Sequence, residues 1–361
     1  MAINREIDVS DTVEQRVGQP PAQPPGSAQR RPLGLLRQGA IVFGRQREAT
    51  VFVVLVALVL YFGLSSSAFF TTSNASNLLS GDAAPIILLA IGEVLLLICG
   101  EIDLSVGFVL TLSPFIMHYM IDFYGFPVWP AIIVALLMGV VVGWVNAFIT
   151  VTMGVPSFIT TLGTSLILYG VVLTTSHAYP ADVPTSALGI GHWFGSQSGA
   201  SQWSAIIWAV ALVAIFHVVL TRTRFGLHTV AAGGNLLGAK EAGINVNRVK
   251  YWNFMITGLL GALVGLQIAF YDVTIDPSAG GYQPMFNAVT AAVIGGTAML
   301  GGVGTIMGAL LGSLVLATLL DGFAVIGISA NPIDIFIGAA ILVAMIANVK
   351  LTRMREAGRS V

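Results

Sequence analysis

The chain has 361 residues, of which 56% are hydrophobic and only 9% charged, with a formal net charge of −1. Soluble domains carry about 25% charged residues, so the composition excludes an ordinary soluble domain, and the charge balance leaves no excess of base for nucleic acid. One cysteine, Cys99, excludes an internal disulfide.

The 16 Lys and Arg residues fall into three groups: seven up to Arg47, five between Arg222 and Lys250, and four from Lys350 onward. The long base-free stretches between them are what a bilayer demands. Under the positive-inside rule the three basic groups are cytoplasmic, and the remainder crosses the membrane or faces outward.

Residues 1–47 read as a disordered cytoplasmic tail, because QPPAQPP at Gln19 to Pro25 and its mixed-charge flanks cannot bury a core. A crossing helix needs about 20 apolar residues at ~1.5 Å each. Such spans are predicted at Ala49–Leu64, Ala83–Cys99, Leu104–Ile121, Val128–Thr152, Pro156–Thr175 and Trp203–Leu220, with a polar outer loop at Ser176–Gln202. Six crossings return the basic island at 222–250 to the side of the amino terminus. Beyond it, spans are predicted at Tyr251–Phe270, Met285–Leu300, Thr305–Ile326 and Pro332–Ala347, with an outer loop at Asp272–Gln283. The expectation is an all-α polytopic membrane protein of about ten helices with both termini cytoplasmic. Residues 48–349 form the membrane domain, and 350–361 form a second tail. The Gly-rich stretch Gly295–Gly312 reads either as a broken helix or as a re-entrant pair.

Glycines at four-residue spacing (Gly139 and Gly143; Gly261 and Gly265; Gly304, Gly308 and Gly312) predict close helix contacts. Inside the island, Gly233 and Gly234 suit a turn, Asn235 a helix cap, and Gly243 the end of a short helix over Leu236–Ala242. Two readings stand for that helix: a lever against a soluble partner, or a basic loop on anionic lipid.

Charge inside apolar spans marks the next candidates. Glu93, Glu101 and Asp103 either line a polar pathway or relay protons, unless Asp103 simply caps the following helix. Ser105, Asn146, Thr160, Thr161 and Thr164 are polar positions that line a pathway or bond between helices. The five histidines have no metal-ligand spacing, and no paired nucleophile and base is evident. GNLLGAK lacks the Ser or Thr of a phosphate loop, so the chain itself is not expected to bind ATP. The predicted outer loops hold Asp82, Asp122, Asp182, Asp272 and Asp276 but no base. A partner docking there would meet carboxylates and aromatics such as Tyr179, Trp193 and Tyr282.

Four stretches, in order, carry a resemblance: GEIDLSVG at Gly100–Gly107, VPSFITTLGTSLILYG at Val155–Gly170, AAGGNLLGAKEAGINVNRVK in the island, and AAVIGGTAMLGGVGTIMGALLG at Ala291–Gly312. Together they resemble the permease subunits of bacterial ABC importers for monosaccharides of the ribose, xylose and galactose type. The resemblance covers about Ala83 to Ala347. It implies a pathway-forming subunit in the inner membrane that works with a second permease chain. Cytoplasmic ATPase subunits would carry the ATP and magnesium, and a periplasmic sugar-binding protein would deliver substrate. It also implies that the island couples to the ATPase, with Gly233, Gly234, Asn235, Ala239, Gly243 and Ile244 on the family pattern, Lys240 and Glu241 between them, and Gly238 where an alanine is usual. Glu101 stands where the family often has glycine. On the residues alone, the alternative is an ion- or proton-coupled secondary transporter using Glu93, Glu101 and Asp103.

Overall fold

A computed structural model describes residues 47–328 except Ser198, together with Ile335, Gly338, Ala339 and Leu342. Among the described residues, eight helices are long and apolar enough to cross a membrane. They are α1 (Glu48–Ser65), α2 (Thr72–Ile98), α3 (Val106–Phe123), α4 (Val128–Thr152), α5 (Ser157–Ser176), α6 (Gly199–Arg222), α9 (Val246–Asp272) and α11 (Ile306–Val325). Between α6 and α9 lie two short helices, α7 (Arg224–Gly234) and α8 (Leu236–Glu241). One more helix, α10 (Tyr282–Ile294), precedes α11. A two-residue antiparallel pair, β1 (Ala181–Asp182) with β2 (Thr274–Ile275), joins two connections.

Eight of the ten predicted spans are therefore present, seven of them within about five residues at each end, while α2 begins at Thr72, well before the predicted Ala83. The ninth, Met285–Leu300, is corrected. Only the 13 residues of α10 are helical, about 20 Å of rise against a hydrocarbon core of about 30 Å. The tenth, Pro332–Ala347, lies almost wholly outside the described residues, as do the two expected tails.

Helices α2, α3, α9 and α11 are the most buried, and α1, α4, α5 and α6 surround them with apolar side chains facing out. Helix α9 is the axis, packed on α2, α3 and α4. Small residues set these contacts. A Cβ at Gly139 or Gly143 of α4 would strike the carbonyls of Gly258 or Phe254 in α9, and one at Gly265 would strike that of Leu110 in α3. The predicted glycine stripes are thus close-packing faces. Gly308 and Gly312 of α11 meet Gly295 and Ala291 in the same way.

The five bases of the island gather at one end of the bundle, where α6 stops at Arg222 and α9 begins with Arg248 and Lys250 in its first turns. Helix α9 starts at Val246 rather than at the predicted Tyr251. Its 27 residues rise about 40 Å to Asp272 at the opposite end. There the β1–β2 pair, Asp122 at the end of α3, and Asp276 collect.

In two crossings the helix begins at mid-depth. After α2, the chain turns at Gly100 (φ +77) and folds back, so that α3 starts where Gly261, midway along α9, meets Val106. After α9, the chain runs down non-helically from Thr274 to Gly281, whose amide donates to the Gly107 carbonyl at 3.0 Å, and α10 starts there. The amino-terminal ends of α3 and α10 thus meet about 20 Å from the basic end. Gly281 has φ +98 in this crossing, a conformation strained for any residue with a Cβ.

Candidate functional site

At the basic end, Asn235 has extended backbone, and its side chain accepts from the Gly238 amide at 2.9 Å, capping α8 as expected. Gly243 (φ +78) ends the segment, donating to the Lys240 carbonyl at 3.0 Å, and the Ile244 amide donates to the Ala239 carbonyl at 3.0 Å. Helix α8 buries Ala239 against Cys99, Ala232, Val246 and Val249, with Ile244 packed alongside. Its other face shows Leu236, Leu237, Lys240 and Glu241 to solvent, with Leu237 73% exposed. Gly233 and Gly234 do not form the predicted turn; they end α7. There Gly233 presses on the Ile98 carbonyl and Gly234 on Gly302, whose amide donates to Ile98 at 2.8 Å. Glycine serves close approach as readily as turns, and the sequence did not distinguish the two.

The structure pairs Glu101 with Lys250, a partner the sequence reading missed. Their side chains are 12% and 19% exposed. The pair ties the loop before α3 to the start of α9, beside the packed face of α8. Next to it, Cys99 accepts from the Asn253 amide at 2.8 Å. Cys99 is a free, buried thiol.

The predicted polar positions converge in one buried cluster. Asp103 Oδ1 accepts from the Ser105 amide at 2.8 Å and from Ser105 Oγ at 2.6 Å, and Asn146 donates to Ser105 Oγ at 2.8 Å. Thr164 donates to Asn146 Oδ1 at 2.7 Å, and Thr161 Oγ1 receives the Leu104 amide at 3.0 Å. Thr160 adds a buried hydroxyl on the same face of α5. Asp103, Ser105, Asn146 and Thr161 are all at most 1% exposed. Ser105, not Asp103, stands at the cap of α3, against the capping alternative; Asp103 holds Ser105 at the start of that helix. Within one chain the cluster locks the start of α3 to α4 and α5. Glu93 of α2 is fully buried beside Asp103.

At the opposite end, Tyr179 and Trp193 are exposed at 73% and 71%, and Asp182 pairs with Thr274 in the strand register. Asp276 accepts from the Ser278 amide at 2.8 Å. A cleft of about 220 Å³ opens nearby between α2 and α9, with Asp82, Tyr271 and Asp272 on its walls. Tyr282 is not in this group. The expected loop Asp272–Gln283 ends inside the bundle, and Tyr282 starts α10 at mid-depth.

That start exposes a second missed surface. Phe108 of α3 lies 5.4 Å from Tyr169 of α5 and 5.1 Å from Tyr282, ring centre to centre, and Tyr282 lies 6.4 Å from Phe286. Gln283 and Asn287 share this side of α10 at 3.5 Å. Two amides four residues apart among aromatics, inside an apolar window, were the signal available in the sequence. No group of three or more His, Cys, Asp or Glu positioned for a metal occurs among the described residues.

A bundle of long apolar helices, with a short helix exposed at its basic end and two helices that begin at mid-depth, is the architecture of a multi-pass membrane protein. Residues 75–345 match the family model described as branched-chain amino acid transport system / permease component, and the chain belongs to that family. It is a multi-pass permease, a transport subunit rather than an enzyme. Relatives include the xylose/arabinose import permease XylH of Sulfolobus acidocaldarius, 35% identical over 84% of this chain and 85% of the relative. The ribose import permease RbsC of Haemophilus influenzae is 32% identical over 83% of this chain and 93% of its own length. The fructose import permease FrcC of Rhizobium meliloti is 30% identical over 82% and 84%. These relatives bear out the resemblance drawn from the sequence motifs, and they extend it from bacteria to an archaeon. No solved structure matches the chain.

Proposed function

We propose that this chain is the permease of an ATP-driven importer for a neutral monosaccharide, with about ten crossings and both termini on the basic, cytoplasmic side. Two copies enclose the pathway. ATPase subunits dock on the exposed face of α8, and a substrate-loaded binding protein docks at the acidic end, on Tyr179, Asp182, Trp193 and Asp276 and beside the cleft of Asp82 and Asp272. The observation that carries this reading is the construction of α8. A capped helix of six residues has no stability of its own. It is instead packed rigidly on Ala239 while holding Leu236 and Leu237 out to solvent, which is the form of a contact surface. The Glu101–Lys250 pair and the Gly233–Ile98 contact then connect that surface to the two crossings that meet at mid-depth. On this reading Asp103, Ser105, Asn146, Thr160, Thr161 and Thr164 support the pathway wall. Sugar-importing relatives favour a sugar as cargo, and the lack of Lys and Arg among the described residues of the acidic half argues against an anionic one.

The test is co-reconstitution with the ATPase and binding protein encoded beside it, assayed for uptake of labelled pentoses, hexoses, polyols and branched-chain amino acids. ATP-dependent uptake of a sugar supports the proposal. Uptake of amino acids alone overturns its substrate class. Uptake driven by an ion gradient without the ATPase favours the secondary-transporter reading, for which buried Glu93 is the motive.

A further inference from the structure

We infer that the cleft between α2 and α9 at the acidic end is a binding subsite for a single neutral sugar, its first resting place after the binding protein releases it; this rests on the function proposed above. The cleft has a volume of about 220 Å³, many times the roughly 30 Å³ of one water and below the about 300–1,000 Å³ of pockets for drug-sized ligands. One wall is the π-helical stretch of α2, Asn77–Ala83, a kind of bulge found often at functional sites. Gly81 keeps that wall clear, since a Cβ there would come within 3.3 Å of the Tyr271 hydroxyl. Two buried polar side chains line the cleft, Ser80 (2% exposed) and Gln267 (1%). The Ser80 hydroxyl oxygen and both amide atoms of Gln267 have no hydrogen-bond partner among the described residues. Buried polar atoms are nearly always paired, so these three call for a partner from outside the chain.

The chemistry of the lining selects that partner. Gln267 presents donors and an acceptor, and the carboxylates of Asp82 and Asp272 accept when ionised. A cation would satisfy the acceptors and leave the Gln267 amino group unpaired. An anion would meet that amino group but also two carboxylates, with no Lys or Arg on the walls. A hydroxyl both donates and accepts. Water does so too, but Pro85, Ile268 and the ring of Tyr271 share the same walls, and apolar surface suits the C–H side of a sugar ring rather than water. A wider hollow of about 400 Å³ adjoins the cleft, sharing Asn77 and Tyr271 with it, and every other polar side chain on its walls is a neutral hydroxyl or amide. Two of these, Gln197 and Gln202, belong to the connection that carries exposed Tyr179 and Trp193. The approach from the docking end is thus hydrophilic and uncharged until it reaches the carboxylates.

The test uses the permease with its ATPase subunits in nanodiscs, without binding protein or nucleotide. Saturation-transfer NMR reads weak contact between a soluble probe and the protein. The probes are D-xylose, L-arabinose, D-ribose and D-fructose, together with any sugar found to be transported, and leucine and gluconate stand for an amino acid and an anion. The expected result is transfer to at least one sugar and to neither leucine nor gluconate. That transfer should fall about tenfold in Gln267→Met, which keeps the side chain's length and removes one or two hydrogen bonds. Ser80→Ala should lower it in the same direction, and Gly163→Ala on α5 should leave it unchanged. The melting temperature of each variant shows that it is folded. No transfer to any sugar would mean that the cleft takes water alone and would overturn the inference. Transfer that Gln267→Met and Ser80→Ala both leave unchanged would overturn it too, as would equal transfer to leucine or gluconate. Contact is read here without transport. If the uptake assay finds no sugar carried, the function proposed above fails whatever the NMR shows; if a sugar is carried but the cleft variants do not alter its contact, only this inference fails.

Discussion

The ion pair between Lys250 and Glu101 offers the sharpest test of how the two ends communicate. Both side chains are mostly buried, at 19% and 12% exposure. Breaking a fully buried pair by removing one partner costs about 3–5 kcal/mol, and an exposed pair is worth about 0.2–1 kcal/mol. A pair at this exposure falls between, so Lys250→Ala or Glu101→Gln should cost about 2 kcal/mol in the conformation that holds it. By the rule of about 1.4 kcal/mol per tenfold, that lowers the population of that conformation roughly 30-fold. In reconstituted importer, either single substitution should cut sugar uptake well below wild type while ATP hydrolysis continues, because α8 still docks but its movement no longer reaches the loop before α3. The double variant leaves no lone buried charge and should recover much of the loss. A double-mutant cycle is the assay. Independent sites add within about 0.3–0.5 kcal/mol; if the two losses add to that tolerance, the pair does not couple the two elements and the reasoning fails.

Three further outcomes follow from the packing and the charges. Asn235→Ala removes the cap of α8 and should cost about 1 kcal/mol, read as weakened ATPase binding to the solubilised permease; unchanged binding would show that α8 needs no cap to dock. Asp182→Asn with Asp276→Asn should weaken binding-protein affinity most at low salt, because charge attraction across water is screened over about 10 Å at 0.1 M, and an affinity independent of both substitutions and salt would refute docking on carboxylates. Gly258→Ala, whose Cβ would strike the Gly139 carbonyl, should cost about 1–3 kcal/mol. By contrast Gly163→Ala, with nothing within 4 Å, should leave the melting temperature in place; equal effects would mean that the α4–α9 contact is not close-packed.

The long helices were legible because a bilayer imposes a length and an apolar content that a sequence carries openly. Helix α10 was not, because its crossing is shared between 13 helical residues and a non-helical run, and neither half reaches spanning length. The capped helix at Leu236–Glu241 was legible through Asn235 and Gly243, whose roles depend only on neighbours in the chain. Gly233 and Lys250 act on residues more than a hundred positions away, Ile98 and Glu101, and no local pattern announces that. The polar positions of α5 and the stretch at Asp103 were found by their oddness in apolar sequence. Whether such a group faces a passage or another helix is a property of the assembled bundle, and here Ser105, Asn146 and Thr161 face other helices.

Helix α9 is an unbroken rod of 27 residues, clasped near its waist by Gly139 and Gly143 on one flank and by Val106 on the other. A rod gripped at the middle behaves as a see-saw: a push on Lys250 toward one side swings Asp272 toward the other. A few degrees of rocking about that fulcrum would part the walls at one face of the membrane as it brought them together at the other. If the proposed importer works by alternating access, exclusion of two open mouths at once would then reside in the stiffness of a single helix rather than in separate gates.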